Sequence, residues 1–499
     1  MQQMLRRAFF ATSASSTSAA QSFTRLRLEA LASFGESVYA PTHARQGLAD
    51  AVVTVLAQPE AQAQWTVLGR VVSKRQVSAS LCFVTVRDVA HASGGEMQIK
   101  LRDDAHLMRI ATLLRRGDVL RARGSVEVAR AALFAETAAI EAVMLRPWQL
   151  AYEDRHVLHS QRYLDLLTTP GARERFVRRA HALRTIRAHL DDVVGAIEVE
   201  TPTLAPLAGG AAAVPFETRS HALDQKLFLR IAPELYLKQV VIGGIPRVYE
   251  IGKQFRNEGV DRSHNPEFTT LELYVVDGTL EQLMQLTRDL ITRLLTQVFG
   301  CPELRVGDID FAAPYRRISF VDELSRALGV ADVTALADDE LLQHAAARVA
   351  GGDASALLPR PPRAKLLDML FSELVEPGLQ QPTFVVDHPV ELSPLARTLP
   401  GRPRVAERFE FYVAGLELAN AYGELSDPRE QAERFAAQHP DDHEAMPADQ
   451  HFLEALHYAL PPTAGYGLGI DRLFMLLANV HSIRDAILFP MLRQDEKSN

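Results

Sequence analysis

The chain has 499 residues, 47% of them hydrophobic and 23% charged, with a formal net charge of −8. That is room for several domains with their own cores, in the composition of an ordinary water-soluble globular protein. No uninterrupted apolar run approaches the roughly 18 residues of a bilayer span, so no membrane partner is expected. Cys82 and Cys301 are the only cysteines; they lie far apart and in no CxxC pair, which excludes a disulfide framework and a cysteine zinc site and fits a reducing compartment.

The chain opens MQQMLRRAFFATSASSTSAAQSFTRLRLEAL, with Arg6, Arg7, Arg25 and Arg27 and no acid before Glu29. Arginine, serine and alanine without acids are the composition of an organellar transit peptide, and no long apolar h-region of a secretory signal is present. Residues 1–25 are therefore read as a mitochondrial targeting peptide, with a cytoplasmic share left open; a plain polar tail is the alternative. Residues 26–65 read as an N-terminal helical segment. From 66 to 146 the character changes. WTVLGRVVSKR, LCFVTVRDV, MQIKLR, DVLRARGSVEVA and AAIEAVML are short β-rich runs, with one helical stretch, HLMRIATLLRRG. Five strands in about 80 residues predict a small barrel, with an OB-fold as the leading candidate. Residues 66–130 hold twelve Lys/Arg against six Asp/Glu. A basic module in an otherwise acidic chain suggests that it meets a polyanion.

Residues 147–170 form a connector, and 171–499 form one large α+β domain. RERFVRRAHALRTIRAHLDDVV spaces Phe176, Ala180, Leu183, Ile186 and Leu190 at helical intervals. AIEVETPTL then alternates Ile197 and Val199 against Glu198 and Glu200 until Pro202 ends it. Residues 351–363 (GGDASALLPRPPR) read as a flexible surface loop.

Three stretches carry candidate chemistry. In RVYEIGKQFRNEG, Tyr249, Ile251 and Phe255 share one strand parity and Glu250, Gln254, Arg256 and Glu258 the other; in FTTLELY, Leu271 and Leu273 oppose Phe268, Thr270, Glu272 and Tyr274. Paired antiparallel around the loop GVDRSHNP, the two runs converge Arg256, Glu258, Phe268, Glu272 and Tyr274 on one surface. Such a set suits a nucleotide plus an amine: a guanidinium grips phosphate, a flat ring meets a base, and carboxylates accept from amines. A solvated sheet face with incidental charges is the alternative. AGYGLGIDRLFMLLAN places Gly465, Gly467 and Gly469 as a glycine-rich turn before an apolar helix, with Arg472 in its first turn. A cation there opposes the helix dipole and needs a partner. RFEFYVAGLELANAYGELSDP sets Glu410, Glu417 and Glu424 seven residues apart among apolar and small residues. Carboxylates in such company need a cation or a ligand, and a pair that also meets polyphosphate suits Mg²⁺. Strand parity does not bring Glu417 and Asn420 to one side; a turn or bulge near Gly415 is one way to do it.

Three segments of the chain resemble, in order, the three motifs of class II aminoacyl-tRNA synthetases. The helix with AIEVETPTL resembles motif 1, a dimer-interface element ending at Pro202; FRNEG with HNPEFTTLELY resembles motif 2; and GLGIDRL resembles motif 3. Within the class, GGAAAVPF, LRIAPELYLK, SPLAR, LELANAYGEL and LPPTAGYGLGIDR are similar to the lysyl enzymes, and the similarity runs from about residue 26 to 492. The resemblance implies an α+β protein: an OB-fold anticodon-binding barrel, then a catalytic domain on an antiparallel sheet flanked by helices, acting as a homodimer on ATP, lysine and the lysine tRNA, with Mg²⁺. It implies that Arg256 grips the α-phosphate and the substrate carboxylate, Glu258 accepts from the adenine amine and His264 approaches the outer phosphates. Phe268 and Arg472 would sandwich the adenine, and Glu410 and Glu417 would hold Mg²⁺. Gly210 and Glu234 would hold the α-amino group, Asn420 would help fix the carboxylate, and Glu272, Tyr274 and Glu424 would receive the ε-ammonium. In the barrel, Phe83 and Arg75 match anticodon contacts, with Glu136 as a nearby candidate for a third.

The sequence departs from the pattern at Val214, where many relatives carry Arg, and in QVSASLCF, which is one residue longer than usual. The acids of the pocket argue against the aspartate and asparagine enzymes. A protein-modifying lysine ligase would lack the barrel, and an inactive paralogue would be expected to have lost Arg256, Arg472, Glu410 or Glu417. Neither HIGH nor KMSKS, the class I signatures, is present.

Overall fold

The computed structural model describes residues 64–89, 95–127, 132–142, 144, 154–349, 357, 360–438 and 448–492. Residues 1–25, read as a targeting peptide, and most of 351–363, read as a loop, lie outside these residues, as does the expected 26–65 helical segment except Gln64 and Trp65, which are in the first barrel strand rather than a helix. The described residues form two compact units. One comprises the described part of 64–155 with 163–174, and the other comprises 156–162 with the described part of 175–492.

The first unit is a closed five-stranded barrel of β1 (Gln64–Ser78), β2 (Leu81–Asp88), β3 (Glu96–Arg102), β4 (Val119–Glu127) and β5 (Ala132–Ala142), in the order β1-β2-β3-β5-β4. Only the β3–β5 pair is parallel. Alternation closes it: Cys82, Val84 and Val86 on β2 and Met97, Ile99 and Leu101 on β3 are buried, while the residues between them face outward. Helix α1 (Ala105–Leu113) connects β3 to β4, capped by the Asp104 carboxylate accepting from Leu107 N (2.8 Å). The last strand starts six residues before the predicted AAIEAVML, because ALFAET pairs with both β3 and β4.

The second unit is built on a nine-stranded sheet. Its central path uses β6 (Ile197–Glu198), β7 (Arg247–Phe255), β8 (Glu267–Val276), β9 (Arg316–Ser319), β10 (Thr383–Pro389), β11 (Arg402–Val413), β12 (Leu416–Gly423) and β13 (Thr463–Gly469), ordered β9-β10-β11-β12-β13-β8-β7-β6, with Thr398–Leu399 added to β11. All neighbours on this path are antiparallel except the outermost pairs, β9–β10 and β7–β6. One face is apolar: Leu271, Leu273, Phe409, Phe411, Ala421, Tyr466 and Leu468 pack against Ile186 and Leu190 and against α4 (Leu280–Arg293) and α5 (Ile470–Leu477). Helices α2 (Ala172–His189) and α3 (Glu234–Ile242) complete the elements that position the site. The opposite parity of the same strands is free for chemistry.

Two expectations change at the edge of this domain. Ala180 is exposed, and Ala182 takes its place in a buried stripe with the expected Ile186 and with Leu190 just past the end of α2. Within AIEVETPTL only Ile197–Glu198 joins the main sheet, Leu204 pairing with Leu229 in a separate small sheet; Ile197 and Glu198 are both exposed, so the predicted alternation does not bury Ile197.

Candidate active site

β7 and β8 pair antiparallel, with Glu250 opposite Glu272 and Gln254 opposite Phe268. The polar parity does not all face one site. Glu250 and Gln254 are buried: Arg230 and the Thr201 hydroxyl hold Glu250, and Gln254 donates to Thr270 Oγ1 (3.1 Å). Beyond the strand end, the backbone turns Arg256 back toward β8, with Arg256 N donating to Pro266 O (2.9 Å) and Asn257 N to Val214 O (2.7 Å). The local role of position 214 is thus a backbone one.

Gly465, Gly467 and Gly469 lie on strand β13, not in a turn, and all three face a cavity of about 460 Å³. A side chain at Gly465 is excluded because its Cβ would lie 2.0 Å from Glu424 Oε1 and 2.8 Å from Tyr274 Cε1. Glycine in a strand here lets neighbouring side chains cross over the backbone. The parity puzzle of Glu417 and Asn420 has a definite answer. Phe411 pairs with Ala419 but Tyr412 with Glu417, so Leu418 is the extra residue of a β-bulge. The bulge, not the Ala414–Gly415 turn, brings both side chains to the cavity.

The cavity is lined by Gly210, Glu234, Arg256, Glu258, His264, Phe268, Glu272, Tyr274, Glu410, Glu417, Asn420 and Arg472. Twelve of the thirteen expected catalytic-domain residues therefore meet in one place. Glu424 sits behind the wall, buried. Gly210 has φ +88°, which an L side chain adopts only under strain, and its missing Cβ would come within 3.1 Å of the Glu234 side chain.

At one end lies an acid cluster. Tyr422 Oη donates to Glu234 Oε2 (2.5 Å) and Tyr274 Oη to Glu272 Oε2 (3.1 Å). Lys238, which is 0% exposed, donates to Glu234 Oε1 (2.6 Å) and pairs with Glu424, its ammonium 5.7 and 5.6 Å from the rings of Tyr422 and Phe452. Burial works against the Lys238 charge, but the two flanking carboxylates outweigh it and hold its pKa up. Glu272 is pushed up to about 8 by burial and by Glu234, and burial also raises Glu424 despite Lys238. Three carboxylates thus converge around one ammonium, leaving an excess of acid at this end of the cavity.

At the other end stand the basic and aromatic groups. Arg256 lies between Glu258, Glu417 and Glu272, its guanidinium 5.2 Å from the centre of the Phe268 ring. Arg472 donates to Glu417 O (2.9 Å) and His264 Nε2 (2.7 Å), the partners its position in the first turn of α5 demanded. No cation–ring contact joins Arg472 to Phe268 among the described residues. Glu410 accepts from Arg408 Nη2 (2.5 Å), Tyr412 Oη (2.9 Å) and lies 3.1 Å from His388 Nε2. Burial and the facing Glu410 push Glu417 up to about 7. No group of three metal-ligating side chains occurs among the described residues.

Sequence reasoning missed five contributors: Lys238, Tyr422, Arg408 and the pair Arg179–Asp471. Arg179 on α2 reaches Asp471 Oδ1 (2.5 Å), while Asp471 Oδ2 accepts from Thr269 N (2.7 Å). Asp471 is buried and adjoins Arg472, and Thr269 adjoins Phe268. The one available signal for Lys238 was its i,i+4 spacing from Glu234 between apolar residues.

In the barrel, Arg75 and Phe83 pair across β1 and β2, with the guanidinium 5.4 Å from the ring centre. Glu136 is exposed at a bulge of β5, between the Thr137 and Ala135 pairings to β4.

Residues 154–493 match the family model described as tRNA synthetases class II (D, K and N). Among similar proteins, the lysine–tRNA ligase of Chloroflexus aurantiacus is 41% identical over 447 residues, covering 86% of this chain and 89% of that protein. The lysine–tRNA ligase of Anaeromyxobacter dehalogenans strain 2CP-C is 43% identical over 460 residues (87% and 88%), and that of Roseiflexus castenholzii 42% over 450 residues (87% and 90%). With its closed barrel, its sheet-borne site and a family match over two thirds of its length, the chain belongs to the class II tRNA synthetases of the D, K and N group.

Proposed function

We propose that the chain is a lysine–tRNA ligase serving mitochondrial protein synthesis: ATP and lysine give lysyl-adenylate and pyrophosphate, and the terminal ribose hydroxyl of the lysine tRNA then attacks the adenylate. The observation that carries the lysine assignment is the buried cluster of Glu234, Glu272 and Glu424 around Lys238. An aspartate side chain would face repulsion there and an asparagine amide would leave acids unpaired. The relatives named lysine–tRNA ligase support the same substrate.

In this reading Glu234 and Gly210 hold the α-amino group, Arg256 and Asn420 the carboxylate, and Glu272 and Tyr274 the ε-ammonium, with Glu424 acting from behind through Lys238. Arg256 also meets the α-phosphate, Glu258 the adenine amine and His264 the outer phosphates. Phe268 and Arg472 flank the adenine. No covalent enzyme intermediate is needed; orientation and fixed charge lower the barrier. Glu410 and Glu417 fit a magnesium ion. Both face the cavity, burial and Glu410 hold the Glu417 pKa up despite the arginines nearby, and two carboxylates plus substrate phosphates are the usual donor set. Such an ion supplies charge neutralisation of the polyphosphate when bound.

The exposed Val193, Ile197 and Leu204, on the segment that resembles motif 1, support a homodimer. The mitochondrial role rests on the acid-free, arginine-rich N-terminus alone; residues 1–25 fused to a fluorescent protein should direct it to mitochondria, and a diffuse cytosolic signal would remove that part. The activity is tested by ATP–pyrophosphate exchange with each of the twenty amino acids, using protein lacking residues 1–25. Exchange with lysine alone supports the assignment, exchange with another amino acid refutes the pocket reading, and none from folded protein with Mg²⁺ refutes the enzyme.

Lysine binding should release protons at pH 7. Glu272 holds a proton in the empty site below about pH 8 and must lose it to pair with an ammonium. Calorimetry in buffers of different ionisation enthalpy reads this number directly; a buffer-independent heat would contradict it. Arg179→Met should raise the KM for ATP about tenfold while leaving the KM for lysine nearly unchanged, because Arg179 positions Asp471 and, through it, the backbone beside Phe268 and Arg472. Losing the partner of a buried charge should also cost about 3 kcal/mol of stability. Arg179→Lys should recover part of both, and equal changes in the two KM values would point to a merely structural role.

A further inference from the structure

The outer face of the barrel carries a row that the anticodon candidates only begin. Arg75 pairs in register with Phe83, Phe83 with Lys100, and Lys100 with Phe134, across β1, β2, β3 and β5. Basic and aromatic side chains alternate along it. The Lys100 ammonium is 5.8 Å from the Phe83 ring centre and 4.8 Å from that of Phe134, and the Arg102 guanidinium is 5.6 Å from Phe134. Both rings are partly exposed, while their neighbours Cys82, Val84, Leu133 and Ala135 point into the core. Phe134 is therefore not required to fill the barrel.

We propose that Phe134 is a second base-stacking position, so that two consecutive unpaired nucleotides of an RNA lie across the barrel, one base on Phe83 and the next on Phe134, with Lys100 on the phosphate that joins them. This rests on the reading that the barrel binds tRNA. The spacing fits: the two rings flank β3, two strand separations or about 10 Å apart, and the ammonium stands between them. The energies also fit. An exposed cation–ring contact contributes about 0.5–1 kcal/mol, whereas a base stacked on an aromatic side chain contributes about 1–3 kcal/mol. A base can displace Lys100 from the ring, and the freed ammonium gains a phosphate. The two flanking arginines extend the same backbone track on either side.

The test is aminoacylation by the otherwise unchanged protein with a transcript of the lysine tRNA. Phe134→Leu keeps bulk and removes the stacking face; it should raise the KM for tRNA roughly 5- to 150-fold, leave tRNA-independent pyrophosphate exchange unchanged, and be rescued by Phe134→Tyr. Phe83→Leu should behave alike. Lys100→Gln should lower the slope of log KM against log salt by about 0.7. If only Phe83→Leu weakens tRNA, the barrel reading stands and the second position is refuted. If neither variant does, stacking on this face is refuted altogether. An unchanged salt slope refutes the role of Lys100.

Discussion

Glu272→Gln should fold as well as the parent and yet raise the KM for lysine by about two to three orders of magnitude. The two halves have one cause. In the empty pocket the Glu272 pKa is about 8, raised by burial and by Glu234, so the fold is adapted to a neutral group there and glutamine mimics it. An acid with a raised folded pKa contributes stability that is complete below its unfolded value near 4.5 and is lost as pH rises toward 8. The variant should therefore lose this part of the pH dependence and be the more stable protein at pH 8 and above. Glutamine cannot ionise to meet an ammonium, however, and truncating one partner of a buried charged pair costs about 2–5 kcal/mol. Thermal melting from pH 5 to 9, beside lysine-dependent exchange, reads both halves. A KM for lysine within threefold of the parent would remove Glu272 from recognition.

Arg256→Ala should lower kcat/KM for exchange by about 10²- to 10³-fold, the loss of a preorganised donor aimed at developing charge. Arg256→Lys should recover little, because an ammonium lacks the planar fork that spans two oxygens. A second signature follows from the carboxylates around it. Arg256 holds down the pKa values of both Glu272 and Glu417. Without it both acids keep their protons to higher pH, so the residual activity should rise with pH over a range displaced to the alkaline side. A residual activity with the parent's pH profile would show that Arg256 is remote from those groups.

Much of this site was legible because strands alternate. Leu271 and Leu273 against Thr270, Glu272 and Tyr274 already separate a core face from a chemical face, and the helices behind β8 use that division. The same rule misled at Glu250 and Gln254, since parity selects a side of a sheet without saying what covers it; Arg230 and Thr270 cover them. It failed at Glu417 and Asn420, because a bulge at Leu418 shifts the register and no residue type announces a bulge. The glycines of β13 read as a turn because glycine is uncommon inside strands; at Gly465 the side chains of Glu424 and Tyr274 crossing the backbone require it. Lys238 was hidden for a different reason. A glutamate and a lysine four residues apart are the commonest decoration of an exposed helix, and only burial from other elements turns that pair into part of a pocket.

Lys238 has a consequence for error rather than for catalysis. In the binding mode proposed above, the two ammonium groups of lysine and Lys238 would match Glu234, Glu272 and Glu424 one for one, and the substrate carboxylate would match Arg256. Ornithine carries the same three charges on a side chain one methylene shorter. Charge therefore rejects neutral and acidic amino acids but cannot tell these two apart, and one methylene is worth only about 1–3 kcal/mol of selectivity. The shorter homologue is the amino acid against which this pocket has the least leverage, and fidelity toward it must come from length alone or from its scarcity.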